Sequence, residues 1–243
     1  MKVVAIIQAR MGSSRLPGKV LKDLAGESVL ARVVHRTRQA KLLSEVVVAT
    51  SVLASNDCLV GECERLRVAC FRGDEADVLD RYYRAAQAFS ADVIVRITAD
   101  CPLIDPALID STVTAFLDNR VDYATNALVV TYPRGLDVEV FTSSALKMAA
   151  EQATASYQRS HVTPYFYENR DLFKIVSLTA DADYSRHRWT LDTAEDLEML
   201  REVYRRLEGN LNAGWREVLA VVESTPELAA INSGVQQRSL HEG

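Results

Sequence analysis

The 243-residue sequence has no long apolar run. The apolar stretch near its start, residues 3–7, is too short for a secretion signal and runs into Gln8 and Arg10. Neither a membrane span nor export is therefore expected. An excess of positive charge is also missing. The 28 Lys and Arg are outnumbered by 33 Asp and Glu, for a net charge of −5. That balance argues against a nucleic-acid binder held by phosphate contacts, but it permits a small anionic ligand held by a few local cations. Cysteine is sparse. Cys58, Cys63, Cys70 and Cys101 form no C-x-x-C pair, and no histidine lies at zinc-finger spacing. Free thiols in a reducing cytoplasm are expected. There is no internal repeat, low-complexity tract or linker. With 48% apolar residues the chain can bury a sizeable core, and a single domain over 1–243 is expected, with an insertion at about 126–180.

Two familiar phosphate motifs are absent as well. A Walker A loop needs four residues between its first Gly and its Gly-Lys, then Ser or Thr. Here five residues separate Gly12 from Gly18, and Val20 follows Lys19. The dinucleotide fingerprint G-x-G-x-x-G does not occur. A kinase, an ATPase of that type and a dehydrogenase are thereby disfavoured.

What is present is a buried-strand pattern, Val3 to Ile7, followed by a loop with Gly12, Ser13, Ser14, Pro17 and Gly18 and three cations, Arg10, Arg15 and Lys19. Gly and Ser let backbone N–H groups come close to a ligand, and Arg and Lys supply the charge that an oligophosphate needs. The loop reads as a triphosphate cradle, with an ordinary polar βα loop as the alternative.

The rest of the first half alternates strand and helix. Helix patterns cover 28–39, 55–66, 77–89 and 106–119, the first with Ser28 as N-cap and the last with Pro106 in its first turn. Strand patterns cover 45–50, 68–71, 92–97 and 122–125. Short alternation of this kind means β-α-β crossovers: an α/β fold with a mostly parallel sheet and helices on both faces. Ligands on such sheets bind outside the carboxyl ends of the strands. The loop 8–19, the turn 72–75 and the turn 98–102 should therefore gather at one edge.

After residue 125 the rhythm changes. The pattern predicts a turn at 132–135, a strand at 136–141 with Asp137 and Glu139 on one face, and a Thr142-capped helix to 152. A partly helical aromatic stretch follows at 156–169, then strands at 173–178 and 187–191. A Thr193-capped helix runs to 207, short helices cover 214–222 and 226–231, and the polar tail 232–243 should fray.

Asp100 follows a strand at the edge of the cation loop, where a hard oxygen could hold Mg²⁺ against a triphosphate or simply form an Asx turn. Asp192 precedes the Thr193 cap and is either a second metal ligand or a helix-entry carboxylate.

Three blocks carry a family resemblance: Ile7-Gln-Ala-Arg-Met-Gly-Ser-Ser-Arg-Leu-Pro-Gly-Lys19, Thr98-Ala-Asp-Cys-Pro-Leu103 and Thr190-Leu-Asp-Thr-Ala-Glu-Asp196. The chain resembles the cytidylyltransferases that make CMP-activated acidic sugars, nearest the SpsF-like proteins of spore-coat polysaccharide biosynthesis. These are relatives of the synthetases for CMP-3-deoxy-manno-octulosonate and CMP-N-acylneuraminate. Phe71 to Tyr82, Gly135 to Phe141 and His161 to Tyr165 share that branch's look, and the likeness spans roughly residues 2–205.

The resemblance implies a Rossmann-like, GT-A-related nucleotide-diphospho-sugar transferase fold. It implies CTP bound at Gln8, Ala9, Arg10, Gly12, Ser13, Arg15, Lys19 and Arg72. Lys19, Arg15 and Asp100 would act in catalysis, Asp100 and Asp192 would hold Mg²⁺, and the chain would form homodimers through the inserted region. The implied reaction is attack of a sugar hydroxyl on the α-phosphorus of CTP with loss of pyrophosphate. Asp137, Glu139 and Arg134 are the candidate sugar contacts. Arg159, Arg186 and Arg188 are further cations available to an acidic sugar. His161 reads as structural. Tyr157, Tyr165, Phe166 and Tyr167 read as core or dimer interface, and Leu79, Tyr82 and Tyr83 as core. Rival readings are a related nucleotidyltransferase, a non-catalytic nucleotide binder, and a GT-A glycosyltransferase. The last would need a D-x-D, whose letters occur only at Asp181-Ala-Asp183, in a polar loop.

Overall fold

The structure, a computed structural model, describes residues 1–207 and 209–237. Strand β1 (Val3–Gln8) is an inner strand, third from one edge of a seven-stranded sheet. It pairs in parallel with β4 (Glu45–Ser51) on one side and β6 (Val93–Thr98) on the other, with Ile6 opposite both Val47 and Arg96. Its alternate residues serve two cores. Ala5 and Ile7 pack into one, Val4 and Ile6 into the other, so a strand buried on both faces needs no polar alternation. Strand β5 (Ala69–Gly73) extends the parallel half beyond β4. Past β6 the direction reverses. Strand β8 (Glu139–Thr142) runs antiparallel to β6, β7 (Tyr123–Thr125) runs antiparallel to β8, and β9 (Ile175–Ser177) closes the edge parallel to β7. The expected α/β architecture, mostly parallel with helices on both faces, is the one found.

Helices α1 (Val29–Thr37) and α4 (Pro106–Asn119) cover one face. Helix α3 (Val78–Ala88) covers the other, and α2 (Asp57–Arg65) joins β4 to β5. The caps do what their residue types allow: Ser28, Asp77 and Asp105 each accept a backbone N–H from the first turn of α1, α3 and α4. A short hairpin, β2 (Asp23–Leu24) and β3 (Glu27–Ser28), precedes α1 and has no counterpart in the sequence reading.

Residues 126–180 supply β8 and β9 to the main sheet. They also supply α5 (Ser143–Gln152), α6 (Ser156–His161) and α7 (Pro164–Glu168). Leu146, Ala149, Tyr165 and Phe166 of these helices are buried with Leu79 and Tyr82 of α3. The chain continues through α8 (Ala194–Arg206), α9 (Trp215–Ser224) and α10 (Pro226–Ile231).

Four local expectations change. Arg72 and Gly73 lie in β5, so the polar turn there is shorter. The strand expected at 136–141 begins only at Glu139. Residues 187–191 form no strand and make a single bridge, Arg188 beside Arg134. The tail expected to fray instead begins with a buried residue, Asn232, 4% exposed, because its amide satisfies buried polar groups described below; residues 238–243 of that tail lie outside the described residues. The four cysteines are free, and no helix among the described residues is long and apolar enough to cross a membrane.

Candidate active site

A cleft of about 530 Å³ opens at the carboxyl ends of β1 and β6. Its floor is the loop after β1. That loop is shaped by local bonds. The Met11 amide donates to Asn56 Oδ1 at 2.8 Å, while the Met11 carbonyl accepts from Ser13 and Gly18. Gly18 has φ +68°, the left-handed region where a Cβ is disfavoured, and this lets the chain turn into Lys19. Gly12, Ser13, Ser14 and Arg15 face the cleft, and the amides of Gly12 and Arg15 make no hydrogen bond among the described residues. A loop offering unused N–H groups beside cations is equipped for an oligophosphate.

Lys19 ties the site together. Its Nζ donates to Asp100 Oδ2 at 2.7 Å, to Asp192 Oδ1 at 2.9 Å and to the Leu191 carbonyl at 2.7 Å. An ammonium has three N–H groups, so all are used. Burial alone would lower the Lys19 pKa, but the two carboxylates outweigh it and the pKa rises. Burial would raise the Asp192 pKa, but Lys19, Arg188 and Arg15 hold it at about 2. Asp100 is lowered in the same way, Lys19 overriding its burial.

Arg15 Nη2 lies 2.8 Å from Asp192 Oδ2, which also accepts from Arg188 Nη2 at 2.7 Å. Arg188 in turn donates to Asp196, a fully buried carboxylate. Lys19, Arg15 and Arg188 thus balance Asp100, Asp192 and Asp196.

A second wall comes from β6 and the segment before β8. Arg96 donates to Gln8 Oε1 at 3.2 Å and pairs with Glu139, whose other oxygen accepts from the Tyr123 hydroxyl at 2.6 Å. Arg134 and Asp137 face the cleft from the turn before β8. Gly135 between them has φ +101°, and a Cβ there would sit 2.7 Å from the Thr190 amide nitrogen.

The structure brings together Gln8, Ala9, Arg10, Gly12, Ser13, Arg15, Lys19, Asp100, Asp192, Arg134 and Asp137 around one cleft. It does not bring Glu139 in as a free carboxylate, because Arg96 and Tyr123 occupy it. Arg72 lies in a separate opening, bonded to the Ser51 and Leu53 carbonyls and paired with Asp57 at 2.7 Å. Of the other cations offered to an acidic sugar, Arg159 is bound to Asp77, Arg186 to Glu223 and Arg188 to Asp192 and Asp196. Asp181 and Asp183 sit outside the cleft, one paired with Arg216 and the other accepting the Ser185 amide.

Sequence reading missed Arg81, Arg96, Asp196 and Gln237, and His161 lines the cleft rather than only supporting it. Arg96 carried a signal, a lone charge inside an apolar strand. Asp196 read only as part of a helix start.

Among the described residues no group of three or more His, Cys, Asp or Glu comes together as a metal cage. The donor set around Lys19 Nζ nevertheless suits a hard cation. Two carboxylates and a carbonyl converge on one point, and Mg²⁺ commonly takes one or two carboxylates and completes its shell with phosphate oxygens and water.

Comparison with known proteins identifies the chemistry. Residues 4–224 match the model of a family described as Cytidylyltransferase. The chain belongs to the cytidylyltransferase family. It is 33% identical to the spore coat polysaccharide biosynthesis protein SpsF of Bacillus subtilis over 234 residues, covering 93% of this chain and 96% of the relative. A cytidylyltransferase structure from Leptospira borgpetersenii superposes with a TM-score of 0.91 at 34% identity, covering 98% of this chain and all of that one. The fold is shared with a CMP:2-keto-3-deoxy-manno-octonic acid synthetase complexed with CTP. There the TM-score is 0.67 at 20% identity, over 85% of this chain and 99% of the other. The cleft is thus the candidate nucleotide site of a cytidylyltransferase, and its cation loop, read from the sequence as a phosphate cradle, forms the floor.

Proposed function

We propose that this cytidylyltransferase transfers CMP from CTP to a hydroxyl of a small, acidic sugar, releasing pyrophosphate, with Mg²⁺. The setting proposed is the cytoplasm, as one step of surface polysaccharide synthesis. The observation that carries the reading is the convergence of Lys19, Asp100 and Asp192 beside a loop with unused amides.

The Gly12 and Arg15 amides are free to meet a triphosphate, and the Arg10 side chain, 53% exposed and 3.7 Å from Glu75, can exchange that loose pairing for a phosphate. Arg15 and Lys19 can turn their charge to the oxygens on which negative charge grows as pyrophosphate leaves; preorganised donors of this kind lower the barrier by holding that charge. Asp100 and Asp192 would hold Mg²⁺, which when bound supplies Lewis-acid neutralisation of the phosphates. Arg134 makes no side-chain hydrogen bond or ion pair among the described residues, and this supports its assignment to the carboxylate of an acidic sugar. The proposal includes a homodimer built through residues 126–180, where Val129 and Leu172 are more than half exposed. A light-scattering mass of a single chain would remove that part.

The first test is thermal melting with CTP, UTP, ATP and GTP, each with and without Mg²⁺. A ligand that binds only the folded state raises the midpoint by mass action. A rise selective for CTP and larger with Mg²⁺ is expected. Absence of any shift would sink the reading.

A further inference from the structure

Among the described residues three carboxylates line the cleft: Asp100, Asp137 and Asp192. Two are committed to Lys19. Asp137 makes no hydrogen bond and no ion pair within 4 Å among the described residues. The neighbouring Glu139 is taken up by Arg96 and Tyr123. Among the described residues Asp137 is therefore the one carboxylate of the cleft with both oxygens open to an incoming group. It is also firmly placed. The preceding turn is fixed by Gly135 lying against the Trp189–Thr190 backbone and by two backbone bonds, Arg134 N to the His187 carbonyl at 2.9 Å and Trp189 N to the Arg134 carbonyl at 2.7 Å. The following amide, that of Val138, donates to Asn126 Oδ1 at 2.8 Å.

Resting on the transferase reading above, we infer that Asp137 is the general base that takes the proton from the acceptor hydroxyl. The acceptor O–H proton passes to an Asp137 oxygen. The oxygen lone pair forms the new bond to the α-phosphorus, the bond from that phosphorus to the bridging oxygen breaks, and pyrophosphate leaves with its electron pair. No other reactant is needed.

The surroundings suit the task. Asp137 faces Glu139 and Arg134 from its own segment, Arg96 from β6, and Asp100 from the turn after β6. The side chain is exposed to the cleft, with the charged groups just named around it. Loss of solvation and the Glu139 charge push its pKa up to about 6, against the pull of Arg134 and Arg96. A base works best with a pKa near the working pH.

The test compares wild type with Asp137→Asn and Asp137→Glu. Pyrophosphate release from Mg²⁺-CTP is measured with 3-deoxy-manno-octulosonate, N-acetylneuraminate and water as acceptors, across pH 5–9. The expected result is a kcat at least ~10²-fold lower for Asp137→Asn, in the range for a lost general base. The CTP midpoint shift should be unchanged, the acid limb of the wild-type profile near pH 6 should be absent from the residual rate, and Asp137→Glu should recover part of the rate. Turnover by Asp137→Asn within threefold of wild type, or an acid limb that persists in it, would overturn the inference alone. No pyrophosphate from wild type with any acceptor, despite a CTP shift, would overturn the transferase reading and this inference together. Should Asp137→Asn fail to fold, Asp137→Glu decides: a base displaced by one methylene must slow kcat with CTP binding intact, and an unchanged kcat counts against it.

Discussion

Every N–H of Lys19 is already occupied in the free enzyme, so its first duty is to hold Asp100 and Asp192 together. The sign of its pH effect follows. Asp192 has a folded pKa of about 2 against an ordinary value of 3.8. It therefore contributes stability that is present above about pH 4 and is lost as the pH falls through about 2. In Lys19→Met Asp100 loses its counter-charge, and Asp192 beside it keeps only Arg15 and Arg188. Their pKa values then rise, and the penalty exists only where both are ionised. Lys19→Met should lose roughly 1–3 kcal/mol at pH 7.5, less than for a fully buried broken pair because the cleft is wet. Most of that loss should vanish near pH 4. Urea unfolding at the two pH values checks this. A loss independent of pH would mean that the methylene stem, not the charge, matters. Turnover should fall at least ~10²-fold as well, the range for a lost electrostatic stabiliser.

The elements were legible where one local signal suffices. The β-branched run of β1, the Ser28, Thr142 and Thr193 caps and the Pro at the start of α4 each specify their element without help from the rest of the chain. The reading failed where the partner lies far along the chain. Residues 187–191 read as a short strand, but Arg188 turns to Asp192 and Asp196, and only one bridge to Arg134 forms. Glu139 read as a free sugar contact because its partner Arg96 is 43 residues away. Among site residues, the loop 8–19, Asp100 and Asp192 were legible from composition and position. Asp196, Arg81 and Gln237 were not, since nothing local distinguishes a capping Asp, a helix Arg or a tail Gln from one that reaches the site. The same reasoning separates Arg72 from the other cations. It read as the start of a turn after a strand, but it lies within β5, which carries it to the far side of β4, away from the cleft.

At the scale of the molecule, the last described residues close over the first loop. Gln236 offers its carbonyl to Arg15 at 3.3 Å, and Gln237 accepts from Arg188 at 2.7 Å. Asn232 Nδ2 donates both to the Arg188 carbonyl and to Asp196 Oδ1. Asp196 also accepts from the Asp192 and Thr193 amides, so it positions the backbone of the candidate metal ligand itself. Asn232→Ala removes two donors from buried acceptors, which should cost roughly 1–3 kcal/mol. In a chain of this size each kcal/mol lowers the melting midpoint by about 2–4 °C. If the tail served only to cover apolar surface, the effect would end there. Because Asp196 fixes Asp192 and Arg188, loosening it should also weaken Mg²⁺-CTP binding several-fold at a temperature where the variant is fully folded. Melting curves and a CTP titration on the same sample separate the two. A lower midpoint with unchanged CTP affinity would confine the tail to a structural role. A loss in both would mean that the site depends on the fold being closed from the loop after β1 to the segment after α10.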